Sequence, residues 1–185
     1  MIATLRPLTY DDLLEMPDDG KRYEIIGGEL VVTPSPTANH QRVLFQLIRL
    51  LDAFVLEHGG GELFFAPFDV QLGYYDIVEP DLVFIATEQG RVPGGHHKFE
   101  GSPVLVVEVI SPSSRQKDRV KKMVLYARSG VMEYWIADPE QRTLIINVLE
   151  GDTYQPIRPD ADGRYSSRVL RGLRVDPSNI FAKLD

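Results

Sequence analysis

The sequence predicts an α/β fold in which one mixed sheet is flanked by helices and preceded by a β-hairpin. Three observations carry this prediction. From Asn39 to His58, Val43, Leu44, Leu47, Leu50, Leu51, Phe54 and Val55 recur at helical spacing, which marks an amphipathic helix. Pro103 to Ser111 is a near-continuous β-branched and aliphatic run, the pattern of a strand covered on both faces. Arg22 to Ile26 and Glu29 to Thr33 flank Gly27-Gly28, a signal for a tight hairpin.

In chain order, Thr9 and Asp12 form a capping-box pattern that starts a short helix, stopped by Pro17 and the Asp18-Asp19-Gly20 turn. The hairpin follows and Pro34-Ser35-Pro36 closes it. The long helix ends at Gly59-Gly60-Gly61. A strand is expected from about Leu63 to Leu72, then a turn over Gly73 to Asp76. Val78 to Ala86 reads as a second strand containing Glu79-Pro80-Asp81. Thr87 to Gly101, rich in Gly and His, reads as a loop.

After the 103–111 strand, Ser111-Pro112-Ser113-Ser114 is a helix start. Val120, Met123, Val124 and Ala127 lie on one side of the segment that runs to Arg128. Met132 to Ala137 and Thr143 to Leu149 read as strands, with a weaker strand near Tyr154. Asp176 to Leu184 reads as a short capped helix packed through Ile180 and Phe181. The whole reads as one domain: an N-terminal helix and hairpin arm over 1–37, a core over 38–150 and an extension over 151–185.

The 185 residues include no cysteine, so neither disulfides nor thiolate metal sites are available. With 20 basic and 27 acidic residues, net −7, the chain is not built for tight nonspecific nucleic-acid binding through a broad basic surface, though a local basic groove is compatible with it. No apolar run reaches membrane-spanning length, so no membrane partner is expected and the expected compartment is the cytoplasm.

Glu108 interrupts the apolar 103–111 run. A carboxylate buried there carries a heavy desolvation cost unless a cation, a metal or several donors compensate it. Asp81 opens the preceding strand, ahead of Leu82-Val83-Phe84-Ile85. If the two strands are neighbours, Asp81 and Glu108 can reach one ion, and hard oxygen ligands suit Mg²⁺ or Mn²⁺. Two acids on adjacent strands followed by a basic helix suit phosphodiester hydrolysis.

Pro80-Asp81 followed by Glu108 resembles the PD-(D/E)XK nuclease superfamily, whose restriction-endonuclease-like core runs α-β-β-β-α-β. Three stretches are more closely similar to its Uma-type branch: Tyr23 to Leu30, Glu108 to Ser113, and Asp118 to Trp135 with Lys122, Tyr126 and Glu133-Tyr134-Trp135. The resemblance covers essentially the whole chain. It implies an Mg²⁺- or Mn²⁺-dependent DNA endonuclease with Asp81, Glu108 and the Val109 carbonyl as metal ligands. The superfamily lysine two residues after the second acid is replaced here by Ile110. In this branch it is implied to lie on the following helix at Lys122, with Lys117 as the rival.

Glu24 matches the family's Tyr-Glu motif and is implied to complete the metal site; otherwise it is a strand glutamate facing solvent or pairing with Arg22. His40 at the start of the long helix, with Arg115 and Lys117, is a candidate phosphate or DNA contact. His96 and His97 read as loop composition, and Trp135 and Tyr126 as core. The expected partner is DNA, with a second copy of the chain as a candidate. The alternative function is a catalytically weak or inactive nuclease-like scaffold that binds nucleic acid or protein in a regulatory role.

Overall fold

A computed structural model describes residues 6–110 and 118–184. The elements run α1 (Tyr10–Leu14), β1 (Arg22–Ile26), β2 (Glu29–Thr33), α2 (Ala38–His58), β3 (Gly61–Phe65), β4 (Asp69–Gly73), β5 (Asp76–Val78), β6 (Leu82–Ala86), β7 (Lys98–Glu100) and β8 (Leu105–Val109). A π-helical turn, Asp118–Lys122, then leads into α3 (Met123–Ser129). After it come β9 (Glu133–Asp138), β10 (Thr143–Glu150), β11 (Thr153–Pro156), β12 (Tyr165–Ser166), β13 (Arg174–Val175) and α4 (Pro177–Phe181).

The central sheet is mixed and six-stranded, in the order β11-β10-β9-β8-β6-β3, with β8 and β9 parallel and the other pairs antiparallel. Within it α2-β3-β6-β8-α3-β9 form the expected α-β-β-β-α-β core. β8 lies between β6 and β9, and both its faces are covered. Leu105, Val107 and Val109 pack with Leu82, Phe84 and Trp135 against Val43, Leu47 and Leu51 of α2. Val106 and Ile110 pack on the other face with Val83, Ile85, Leu125 and Tyr126. Double coverage is why the strand reads as continuously apolar rather than alternating.

A second sheet, β2-β1-β5-β4-β7, lies on the α3 side of the core, where Val70 and Val78 share the Val106 cluster. This corrects the one-sheet expectation. The 63–72 and 78–86 strands each divide in two, and the halves join different sheets. Pro67 and Pro80 sit in the gaps, where a residue without an N–H cannot continue a ladder. Residues 98–100 also form a strand within the expected 87–101 loop, recruited by parallel pairing with β4. The expected start of the second helix at 111–114 lies outside the described residues.

Local signals decide several boundaries as expected. The Asp12 carboxylate accepts the Thr9 N–H at 2.8 Å at the start of α1. Gly27 and Gly28 both have positive φ, and a Cβ on Gly28 would stand 2.5 Å from Pro7 Cβ, so the turn demands glycine there. Thr37 caps α2 through the His40 N–H, and Gly59 ends it at φ 68°. Asp176 caps α4, whose Ile180 and Phe181 are buried on the α2 face.

Glu133, fully buried at the start of β9, ties the C-terminal segment to the sheet. Its Oε1 accepts the Trp135 indole N–H at 2.6 Å, and its Oε2 accepts the Ser167 hydroxyl and the Arg168 and Val169 N–H groups. Glu133→Ala strands four donors and should cost about 3 kcal/mol of unfolding free energy. Glu133→Gln should also destabilise, because one end of the carboxamide must point N–H at N–H. Denaturant unfolding checks this, and a wild-type midpoint for Glu133→Gln would refute the donor account.

Candidate active site

The β6–β8 register pairs Leu82 with Val107, so the next position along places Asp81 opposite Glu108. Both acids therefore belong to the face turned toward α3 and the second sheet. Each is almost fully buried, at 1% and 4% exposure. The chain supplies cations and hydrogen-bond partners from three directions.

Asp81 is held by the N-terminal arm and by α2. Its Oδ1 accepts from Arg22 Nη2 at 2.9 Å, and its Oδ2 lies 3.1 Å from His40 Nε2 and accepts the Val109 N–H at 2.7 Å. Burial pushes this carboxyl up, but His40, Arg22 and the Val109 N–H outweigh it and hold the pKa at about 2. Arg22 reaches Asp81 from β1 and also contacts Glu79, Nε to Oε1 at 2.8 Å. Burial opposes the guanidinium charge, yet Asp81, Glu108 and Glu79 together hold it firmly protonated.

Glu108 is held from the helical side. Its Oε1 accepts from Lys122 Nζ and from the Tyr126 hydroxyl, both at 2.7 Å. Lys122 Nζ also lies 2.9 Å from Glu24 Oε1, which accepts the Glu79 N–H at 2.9 Å. Lys122 thus bridges two buried carboxylates from the end of the π-helical turn. Burial, then Glu108 and Glu24, push the Tyr126 phenol well above its ordinary pKa, so it remains a hydrogen-bond donor. Lys121 points away, with its side chain half-exposed 3.7 Å from Glu29.

The structure therefore gathers Glu24, Asp81, Glu108 and Lys122 in one buried cluster. Ile110, the residue at the superfamily lysine position, packs in the apolar layer on the same face. Glu24 neither faces solvent nor pairs with Arg22, because Arg22 is taken by Asp81 and Glu79. His40, a candidate phosphate or DNA contact, lies beside Asp81 at the start of α2. Its ring is buried on Asp81, and its Nδ1 has no hydrogen-bond partner among the described residues. Val109 contributes its N–H to Asp81. Arg115 and Lys117 lie outside the described residues.

Arg22, Glu79 and Tyr126 are members that sequence reasoning did not select. Arg22 and Glu79 flank expected site residues in the Arg22–Glu24 and Glu79-Pro80-Asp81 stretches, which was the signal available. Tyr126 looked like packing because an aromatic on an apolar helix face usually is.

The donor chemistry fits a hard divalent cation. Among the described residues, the carboxylates of Glu24, Glu79, Asp81 and Glu108 face the permanent cations Arg22 and Lys122, so negative charge is in excess. Glu79 shows that excess: burial, then Asp69, Glu24 and Asp81, push its pKa to about 7 despite Arg22. Among the described residues no three His, Asp or Glu side chains are already arranged as a metal cage, each site carboxylate being turned to a protein cation instead.

The raised Glu79 pKa gives a pH dependence. Below pH 4.5 Glu79 is protonated folded or unfolded and contributes nothing. As pH rises through 4.5 toward 7, the unfolded chain releases this proton first and folding loses stability. In EDTA, Glu79→Gln should match wild type near pH 4.5 and become progressively more stable than it toward pH 8. Parallel melting profiles across that range would remove the charge-excess account.

Comparison with known proteins places these features. A family model, Uma2, described as "Putative restriction endonuclease", matches residues 10–178. An uncharacterized protein of Synechocystis sp. is 28% identical over 143 residues, 75% of this chain and 78% of its own length. A crystal structure from Anabaena variabilis, described as "a putative nuclease belonging to DUF820", superposes with a TM-score of 0.80 at 20% identity, covering 96% of this chain and 99% of the other. At that identity the likeness is one of fold.

Proposed function

The chain belongs to the Uma2 family, and from that premise we propose that it is a metal-dependent endonuclease hydrolysing phosphodiester bonds in DNA. The observation that carries this reading is the Lys122 ammonium, buried between Glu24 and Glu108 on the strand face that also bears Asp81. A packing lysine has no need of such a position, and burying one is expensive without paired charge.

Asp81, Glu108 and the Val109 carbonyl would hold Mg²⁺ or Mn²⁺, with Glu24 completing the set. The ion would polarise the scissile phosphate and lower the pKa of a bound water. Lys122 supplies the positive charge that Ile110 cannot. Its stem reaches back from the π-helical turn, and two carboxylates fix the ammonium at one place instead of letting it swing. From there it stabilises charge gathering on the phosphate oxygens and orients the attacking water, work that tolerates little displacement. Tyr126 holds Glu108 Oε1, and His40 with Arg22 holds Asp81, so both acids keep fixed rotamers.

Lys122→Ala should lower metal-dependent cleavage by at least about a hundredfold, a typical loss for one transition-state contact, while Lys121→Ala should change it little. The assay is nicking and cleavage of supercoiled, linear and single-stranded DNA with Mn²⁺ or Mg²⁺, beside Glu108→Ala. Full activity in Lys122→Ala with loss in Lys117→Ala would move the role to Lys117.

Mn²⁺ should also raise the melting temperature of wild type but not of Asp81→Ala. No Mn²⁺ shift and no cleavage in any form would leave the nuclease-like scaffold as the correct reading.

A further inference from the structure

We propose that one exposed flank of α2 and the β12–β13 segment form a basic track that binds the phosphodiester backbone of nucleic acid. The proposal rests on the nuclease reading for its purpose, though not for its test.

Its first support is an uneven charge distribution. In a chain with 27 acidic and 20 basic residues, the stretch from Arg158 to Arg174 holds five arginines against Asp160 and Asp162. All five are exposed. Two adjoining cavities open here and share Arg164 as a wall. One, of about 350 Å³, lies between α2 and α4 and is lined by Arg49, Arg164 and Arg174 with Asp176. The other, of about 400 Å³, is lined by Arg158, Arg164 and Arg168 with Glu150 and Asp160.

Acids aim part of the set. Arg174 pairs with Asp160, and Arg164 lies 3.7 Å from Asp176. Arg158 and Arg168 have no ion pair among the described residues. Solvent-facing guanidinium groups with few partners match phosphate oxygens bidentately, which lysines on flexible stems do less well.

Helix α2 carries the other half of this surface. Arg42, Gln46 and Arg49 stand at i, i+4 and i+7 spacing along its outer side, opposite His40, whose ring turns inward to Asp81. Arg49 therefore stands about 13 Å along the axis from His40. Between the arginines, Phe45 is 56% exposed, and the Arg49 guanidinium sits 6.0 Å from its ring centroid. An exposed aromatic among arginines offers a stacking surface to bases beside charges for the backbone. A purely solvated helix face has no use for that ring.

The test uses Arg49→Ala/Arg158→Ala/Arg168→Ala in the full chain, with fluorescence anisotropy on a labelled DNA duplex and its single strand, in EDTA and in Ca²⁺. Binding should weaken at least about tenfold, and the slope of log affinity against log salt should fall by about two to three, one increment for each phosphate no longer neutralised. The melting temperature and its shift with Mn²⁺ alone should stay at wild-type values. The matching triple lysine variant should recover most of the affinity.

If the triple alanine variant melts early, Arg158→Glu alone must still weaken binding. Wild-type affinity and slope in these variants overturn the track, as does a wild type that binds neither probe in either buffer. A protein that never cleaves but binds through these arginines keeps the track and loses the nuclease reading. Cleavage and binding unchanged in the triple variant do the reverse.

Discussion

Burial of Glu108 in a strand covered on both faces is the constraint on which the site half of this molecule depends. A carboxylate in that position is tolerated only with charge or donors brought to it, and the surrounding elements do bring them. Lys122 and Tyr126 come from the helical segment after β8, and Glu24 comes from the hairpin arm to share the Lys122 ammonium. Asp81, one register step beyond β6 and opposite Glu108, raises the same demand and draws Arg22 and His40. The arm, α2 and α3 are thus held to the central sheet by polar contacts as well as by apolar packing.

The second sheet makes this possible. β4 and β5 leave the central sheet at Pro67 and return at Pro80, and β1 pairs with β5. That excursion carries Arg22 and Glu24 over the Asp81–Glu108 face. It also fixes Asp81 just outside β6, where a side chain can meet the first turn of α2 and the N–H of Val109 together. The cluster then holds more carboxylate than cation among the described residues. A fold selected for stability alone has little reason to build such a cluster.

Much of this was legible in the sequence. The order of core helices and strands follows from hydrophobic periodicity and from glycines and prolines, because local backbone preferences decide where elements start and stop. Glu108 announced itself by interrupting an apolar run, and Asp81 by preceding one. Resemblance supplied Glu24 and Lys122, and the structure brings both to Glu108. What was misjudged is equally instructive. Leu63 to Leu72 and Val78 to Ala86 each looked like one strand, because apolar content continues across a sheet switch and periodicity does not record which sheet a residue joins.

The sequence alone determined the hairpin, the long helix, the doubly covered central strand and the identity of the two acids, since each depends on residues close together in the chain. Tertiary structure alone decided who neutralises whom. Arg22 is two residues from Glu24 yet bonds Asp81 and Glu79, and Lys122 spans acids from β1 and β8. His40 turns its ring inward to Asp81. Tyr126 became a donor to Glu108 rather than simple packing. These pairings are set by which side chains converge across sheets and helices, and a one-dimensional pattern does not contain that distance.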